Sequence, residues 1–270
     1  MAIPVKTKEE IALLREGGHR LARILDRVAT AAIPGISTLE LDHLAESLIF
    51  ASGGEPSFKG YRIEGVRSAY PATMCISVND EVVHSIPQKN KILKEGDIVA
   101  LDIGMRWPGQ ELKAKEEALK NAKSLYTDMA VTIGIGRISS QSEMLLAATK
   151  QALEIGIGMV APKKRVGDVS RAIQTHLERY GLGIVRELAG HGVGYKVHEE
   201  PLIPNFGKAN SGPEFLEGMV IAIEPIANLG SDEVVLQSDE WTFKTADGSL
   251  SAHFEHTMAL TKDGAEVLTR

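Results

Sequence analysis

Four acidic residues and one histidine lie in or beside short apolar runs of the chain, where charged groups are least expected. They are Asp102, Asp128, His191, Glu224 and Glu255. A carboxylate in an apolar strand is costly unless it is paired or binds a cation. Carboxylates and an imidazole together suit divalent ions such as manganese, iron, cobalt or zinc. The pattern therefore predicts a centre with two adjacent metal ions.

Each of these residues also has a simpler explanation when it is taken singly. An aspartate at a strand end is more often a turn former, as Asp102 or Asp128 could be. His191 lies between two glycines and could be an ordinary loop histidine, and Glu255 could lie on a solvated strand edge. It is improbable that all five simple explanations hold together in these contexts, so the metal centre is favoured.

A repeated order of helices and strands must position these residues. Capping boxes at 7–10 and 37–40 predict the first two helices, and apolar spacing predicts a second pair at 142–160 and 166–181. Strand-like runs follow each pair, at 73–78 and 98–103 in the first half and at 219–224 and 255–260 in the second. The order predicts one α+β domain, 1–270, with two halves packed around a shared sheet.

Composition limits the class of protein. The chain has 270 residues and a net charge of −6, which argues against a nucleic-acid-binding protein. Its single cysteine, Cys75, cannot form an internal disulfide, which fits a reducing compartment. The segment Met1 to Arg15 has no apolar core of a signal peptide, and no run is long enough to span a membrane. We expect a cytoplasmic protein without membrane or nucleic-acid partners.

Longer motifs around the same residues resemble those of the type I methionine aminopeptidases, over nearly the whole chain. The motifs are Gly190-His191-Gly192, Ile223-Glu224-Pro225, Phe254-Glu255-His256-Thr257, Cys75-Ile76-Ser77-Val78-Asn79, Val83-His84-Ser85-Ile86-Pro87, His198-Glu199-Glu200-Pro201 and Trp241-Thr242-Phe243-Lys244-Thr245. The resemblance implies the pita-bread fold, with two pseudo-symmetric helix-helix-strand halves around a curved, mainly antiparallel sheet. It also implies metal-dependent removal of the initiator methionine from nascent proteins, with preference for a small second residue.

The resemblance further implies which residues hold the two divalent ions, whether manganese, iron, cobalt or zinc. Asp128 and Glu255 would bridge the ions. His191 and Glu224 would complete one site, and Asp102 would bind the other ion through both carboxylate oxygens. Water between the ions would be the nucleophile.

Other residues would act on the substrate, again by resemblance. Glu224 would be the general base, His198 would help stabilise the oxyanion, and His84 would hydrogen-bond the scissile amide nitrogen. The methionine pocket would be walled by Tyr70, Cys75, Val197 and Trp241. Val197 departs from the aromatic residue that is usual before His198, which predicts a wider pocket. Cys75 lacks a paired base in the sequence and is interpreted as a wall residue.

The spacing of two predicted ligands is a departure from the family. Asp102 and Asp128 are 26 positions apart, more than twice the usual spacing, which places an insertion within 106–124. It opens with the turn residues Trp107-Pro108-Gly109 and continues with strong helix formers, which predicts a helical hairpin segment. The favoured interpretation is a solvated helix at the hairpin tip. The alternative is a contact through its lysines with a partner such as the ribosome.

Two other functions remain open at this point. A proline-specific aminopeptidase or prolidase would share the fold and the five ligands, but such enzymes usually carry an additional N-terminal domain, for which no room is expected before Thr7. A non-enzymatic binding protein of the same fold would have lost metal ligands, whereas all five are present. We expect a monomer whose partners are the N-termini of nascent polypeptides.

His253 should share a strand face with Glu255 and lie near the site.

Overall fold

The computed structural model describes residues 3–270, so Met1 and Ala2 lie outside the described part. The helices are α1 (Lys8–Ala31), α2 (Thr38–Ala51), α3 (Gln110–Lys115), α4 (Ser140–Met159) and α5 (Val166–Glu178), with a 3₁₀ turn at Glu117–Leu119. The strands are β1 (Glu55–Pro56), β2 (Met74–Val78), β3 (Glu81–Val83), β4 (Ile98–Trp107), β5 (Leu125–Gly134), β6 (Gly183–Ile184), β7 (Ala189–Gly192), β8 (Glu199–Pro204), β9 (Val220–Ile223), β10 (Ile226–Asn228), β11 (Val234–Leu236), β12 (Phe243–Thr245), β13 (Ser251–His253), β14 (Glu255–Thr261) and β15 (Gly264–Val267).

Both predicted capping boxes are confirmed. The Thr7 hydroxyl accepts a hydrogen bond from the Glu10 backbone N–H, and the Glu10 carboxylate accepts one from the Thr7 backbone. Ser37 and Glu40 make the same reciprocal pair at the start of α2. Each box satisfies backbone donors that have no partner within the helix, which explains why the helices begin at these residues.

The main sheet is antiparallel and has the strand order β1-β4-β5-β14-β9-β7-β8, with β2 added on β4 and β15 on β14. Its longest ladder joins β4 to β5 from Ile98–Gly134 to Trp107–Leu125. β4 therefore continues four residues beyond the predicted end at residue 103, because β5 supplies pairing partners along the lengthened hairpin.

Two apolar cores lie on the sheet, one under each helix pair. In the first half, Leu25 of α1 and Leu41 of α2 pack with Leu101 of β4. In the second half, α4 and α5 cover β9 and β14 in the same way. The chain therefore has the pita-bread fold that the sequence predicted, with two similar halves around a curled antiparallel sheet.

The segment between β4 and β5 contains α3 and the 3₁₀ turn. No residue of α3 is fully buried, but Leu112 lies against Gly53, where an added Cβ would be 2.6 Å from a Leu112 methyl carbon. The end of the segment is tied to α1 by an ion pair of 2.5 Å between Lys123 and Glu10. No helix within residues 3–270 has the length and apolar character that crossing a membrane requires.

Candidate active site

Three neighbouring strands bring three of the predicted metal ligands to one face of the sheet. Asp102 on β4 pairs with Ala130 on β5, and Ala130 pairs in turn with Glu255 on β14. Asp128 precedes Ala130 by two residues and therefore points to the same face. The small alanine side chain leaves open space above the sheet between the acidic residues.

The other two predicted ligands come from the second half of the sheet. His191 on β7 pairs with Ala222 on β9, two residues before Glu224. The pairing of β7 with β8 is irregular next to His191. Gly192 follows it, and an added Cβ there would be 2.2 Å from a backbone oxygen of Glu200. A residue without a side chain is therefore required beside this histidine.

Four of the five side chains meet in one cluster centred on His191. Its Nε2 lies 3.6 Å from Asp128 Oδ2, 3.6 Å from Glu224 Oε1 and 4.0 Å from Glu255 Oε1. One ligand atom each from Asp128, His191 and Glu255 lies within 4.8 Å of the others. Asp102 lines the same cavity.

The electrostatics of the cluster favour the binding of a cation. Burial raises the pKa of Glu224 to about 8 and that of Asp102 to about 7. Burial followed by the charge of Asp128 raises the pKa of Glu255 well above its usual value. Four carboxylates this close together, in a cavity largely shielded from water, cannot all ionise without added positive charge. Oxygen donors with one nitrogen also match the ligands of divalent metals, so the residues fit such ions.

Two further predicted residues, His84 and His198, lie in the wall of the same cavity. Burial lowers the pKa of His84 to about 4. The His198 ring keeps an exposed edge, but desolvation, with His191 and His84 nearby, lowers its pKa well below the usual value. Both rings are therefore neutral near pH 7. Tyr61 lies edge-on to His198, and its hydroxyl is 2.7 Å from His198 Nδ1.

An apolar wall closes one side of the cavity, whose volume is about 290 Å³. Tyr70 and Trp241 pack edge to face with ring centroids 5.2 Å apart, and Cys75 lies beside them. The Tyr70 hydroxyl donates towards the backbone oxygens of Met74 and Ser85, which fixes the ring. Burial raises the pKa of the Cys75 thiol well above its usual value, so the group is an uncharged wall.

The structure places Val197 elsewhere. It is buried and lines the adjacent polar groove, not the cavity that contains Tyr70, Cys75 and Trp241. The cavity also contains residues that the sequence analysis did not select: Phe58, Tyr61, Ile63, Leu188, Leu202. The aromatic pair Phe58 and Tyr61, in a glycine-containing segment before the Cys75 strand, was the available signal.

The family model of metallopeptidase family M24 matches residues 12–113 and 118–262. The chain is 42% identical over 273 residues to the methionine aminopeptidase of Aquifex aeolicus (strain VF5), with 100% of this chain and 99% of that relative covered. These matches span both halves of the fold and include all five clustered residues.

Solved structures give the same result for the fold. The crystal structure of methionine aminopeptidase from Thermotoga maritima matches with a TM-score of 0.89 and 39% identity, and the match covers 100% of each chain. The prolidase from Pyrococcus furiosus shares the fold at a TM-score of 0.74, with 20% identity and 65% of that chain covered.

Proposed function

The chain belongs to the methionine aminopeptidases of metallopeptidase family M24, and from that membership we propose how its own residues remove the N-terminal methionine of a polypeptide. The observation that carries the proposal is one cavity in which a buried acidic cluster faces the apolar wall of Tyr70, Cys75 and Trp241. The proline-specific alternative is not favoured, because the prolidase match is 20% identical and covers 65% of that chain. A non-enzymatic function is not favoured either, because all five ligand residues line the cavity.

We propose that the cluster holds two divalent ions, of manganese, iron, cobalt or zinc. Asp128 and Glu255 would be shared by both ions, His191 and Glu224 would serve one, and Asp102 the other. When bound, such ions polarise the scissile carbonyl and make water a stronger nucleophile. The buried setting supports this assignment, since added positive charge offsets the cost of ionising these carboxylates.

Glu224 is proposed as the residue that moves the proton. Its carboxylate takes a proton from the attacking water and returns it to the leaving amine. Burial, together with the charge of Asp128, raises the pKa of Glu224 to about 8, which supports this role, because a carboxylate with a raised pKa is a better base than an exposed glutamate. Its position beside His191 places it at the centre of the cluster.

The two neutral histidines are proposed to contact the reacting peptide group. We propose that the Tyr61 hydroxyl, 2.7 Å from His198 Nδ1, donates to that nitrogen, so that His198 Nε2 keeps its hydrogen and can donate it to the oxyanion. His84, which packs edge-on to Phe243, lies in the wall of the same cavity and would hydrogen-bond the scissile amide nitrogen. Uncharged rings suit both tasks, because they add no charge that opposes ion binding.

Selection of methionine is proposed to come from the apolar wall. A thioether side chain packs well against aromatic rings such as Tyr70 and Trp241. The free α-amino group would then lie near the acidic cluster, which favours cations. Since Val197 lies outside this cavity, the aromatic residue expected in its place is not needed to close the wall.

The substrates are proposed to be the N-termini of nascent polypeptides in the cytoplasm, with a small second residue preferred, and the chain is proposed to act as a monomer.

For the segment 106–124 we propose a solvated tip. Lys115 pairs with Glu111, and Lys120 with Glu117, within the segment itself. If residues 111–120 are replaced by a Gly-Ser linker, sedimentation with ribosomes should not change; a loss would favour the ribosome contact.

A peptide panel tests the function. Metal-stripped protein is assayed for amino-acid release from Met-Ala-Ser, Leu-Ala-Ser, Ala-Pro-Ala and Met-Lys-Ser, before and after addition of manganese, iron or cobalt. Metal-dependent release from Met-Ala-Ser, with little from the other peptides, is expected. Release from Ala-Pro-Ala would instead favour the proline-specific reaction. No release from any peptide would contradict the proposal.

A further inference from the structure

His253 is a buried imidazole in the active site to which no role has yet been given. It lies at the end of β13, is 2% exposed and lines the cavity with the acidic cluster. Within residues 3–270, neither Nδ1 nor Nε2 has a hydrogen-bond partner. A buried polar group without a partner is destabilising, so the partner of this ring is expected among the species that the cavity binds.

The surroundings of His253 repeat those of His191. Nε2 of His253 lies 3.5 Å from Glu224 Oε2, and Nε2 of His191 lies 3.6 Å from Glu224 Oε1. The two imidazoles therefore flank the same carboxylate, one beside each oxygen. Two donors bound to one ion at about 2.0–2.2 Å are about 3.0–3.5 Å apart. The spacing of His253 and Glu224 is thus the spacing of two ligands of one ion.

We infer that His253 Nε2 is a nitrogen donor of the metal centre, bound to the ion that Glu224 would hold. The inference rests on the proposed metal centre and adds a sixth residue to it. That ion would then have two imidazole nitrogens, from His191 and His253, one beside each oxygen of Glu224. A nitrogen donor favours iron, cobalt and zinc over manganese, which prefers oxygen. This ion site should therefore discriminate against manganese more than the site that Asp102 would serve.

The test counts metal-bound histidines directly. The protein is labelled with nitrogen-15 histidine and loaded with cadmium-113, so that each bound ring nitrogen shows a one-bond coupling to the metal in the NMR spectrum. Of the eight histidines, two should couple, His191 and His253. In His253→Gln only one should remain. His176→Gln is the control, because His176 is a buried imidazole that contacts the Ala148 carbonyl oxygen, away from the cavity.

Calorimetry gives a second readout that does not depend on turnover. His253→Gln should weaken binding of zinc at one of the two sites by at least about tenfold, the scale that loss of a supporting ligand contact produces. Binding at the other site should not change, and manganese should be affected less than zinc. His176→Gln should bind both ions like the unmutated protein.

The outcomes separate this inference from the proposed function. A single coupled histidine in the unmutated protein overturns the inference and leaves the metal centre intact, and two couplings that persist in His253→Gln also overturn it. Absence of any coupled histidine would contradict the metal centre itself. If His253→Gln does not fold, His253→Asn serves in its place, and the count in the unmutated protein still decides between one and two.

Discussion

Replacing Tyr61 by phenylalanine tests whether a neighbour sets the hydrogen-bonding state of His198. The substitution removes only the hydroxyl that lies 2.7 Å from Nδ1. The ring, which packs edge-on to the imidazole with centroids 5.2 Å apart, stays. Without the hydroxyl, nothing in this pair favours the tautomer that carries its hydrogen on Nε2. Stabilisation of the oxyanion by His198 should then weaken.

The expected size follows from the type of bond. A neutral hydrogen bond contributes about 0.5–1.5 kcal/mol net, and each 1.36 kcal/mol of transition-state stabilisation is tenfold in rate. Tyr61→Phe should therefore lower kcat/KM for Met-Ala-Ser by roughly 2- to 13-fold. Because the oxyanion forms only during reaction, most of the loss should be in kcat and little in KM.

A double-mutant cycle with His198→Ala isolates the interaction. If Tyr61 acts through His198, Tyr61→Phe should have almost no further effect once the imidazole is absent. Tyr180→Phe is the matched control, since Tyr180 is an exposed tyrosine that packs against His176, away from the cavity. Nitrogen-15 NMR of His198 should show a mixture of tautomers in Tyr61→Phe. Full additivity of the two substitutions, or an unchanged tautomer, would refute the reasoning.

Three further perturbations have expected outcomes. Thr257→Val removes the 2.9 Å hydrogen bond to Asp128 Oδ1 and should weaken metal binding roughly 10- to 100-fold by calorimetry; equal affinity would show that Asp128 needs no support. Lys6→Met leaves the buried Glu199 without its 2.5 Å partner and should cost about 3–5 kcal/mol in urea unfolding; a loss under 1 kcal/mol would contradict this. The folded pKa of Glu224 is raised to about 8, so the contribution of this group to the stability of the metal-free protein is lost as the pH rises from about 4 to 8. Below about pH 8, protons also compete with metal ions for this carboxylate. Zinc should thus raise Tm more at pH 8 than at pH 6, and the reverse order would contradict the assignment.

The sequence predicted the parts of the site that depend on residue type and strand alternation. An acidic residue in an apolar run, such as Glu224, is recognisable without a structure because burial of its charge demands compensation. The capping boxes of α1 and α2 were predictable because both partners lie within four residues. His253 lies in the same cavity as Glu255, near the site as expected, but the expectation that they share a strand face was wrong, because the two residues belong to different strands, β13 and β14.

Contacts between distant segments were beyond such reasoning. Tyr61 meets His198 across 137 positions, and nothing local in either segment specifies that contact. The position of Val197 depends on the course of the loop before β8. The lengthening of β4 to Trp107 depends on the pairing with β5. Each of these features is set by tertiary packing, which no single window of sequence contains.

The β4–β5 ladder has a practical consequence for engineering. Its ten residue pairs run from Ile98–Gly134 to Trp107–Leu125, so the register that aligns Asp102 and Asp128 is set well before the chain reaches the tip. The match to the family model is interrupted between 113 and 118, within this tip. Exposed loop tips accept inserted sequence best. A reporter peptide or a whole binding domain could be inserted there. The size of the insert should not affect the positions of Asp102 and Asp128.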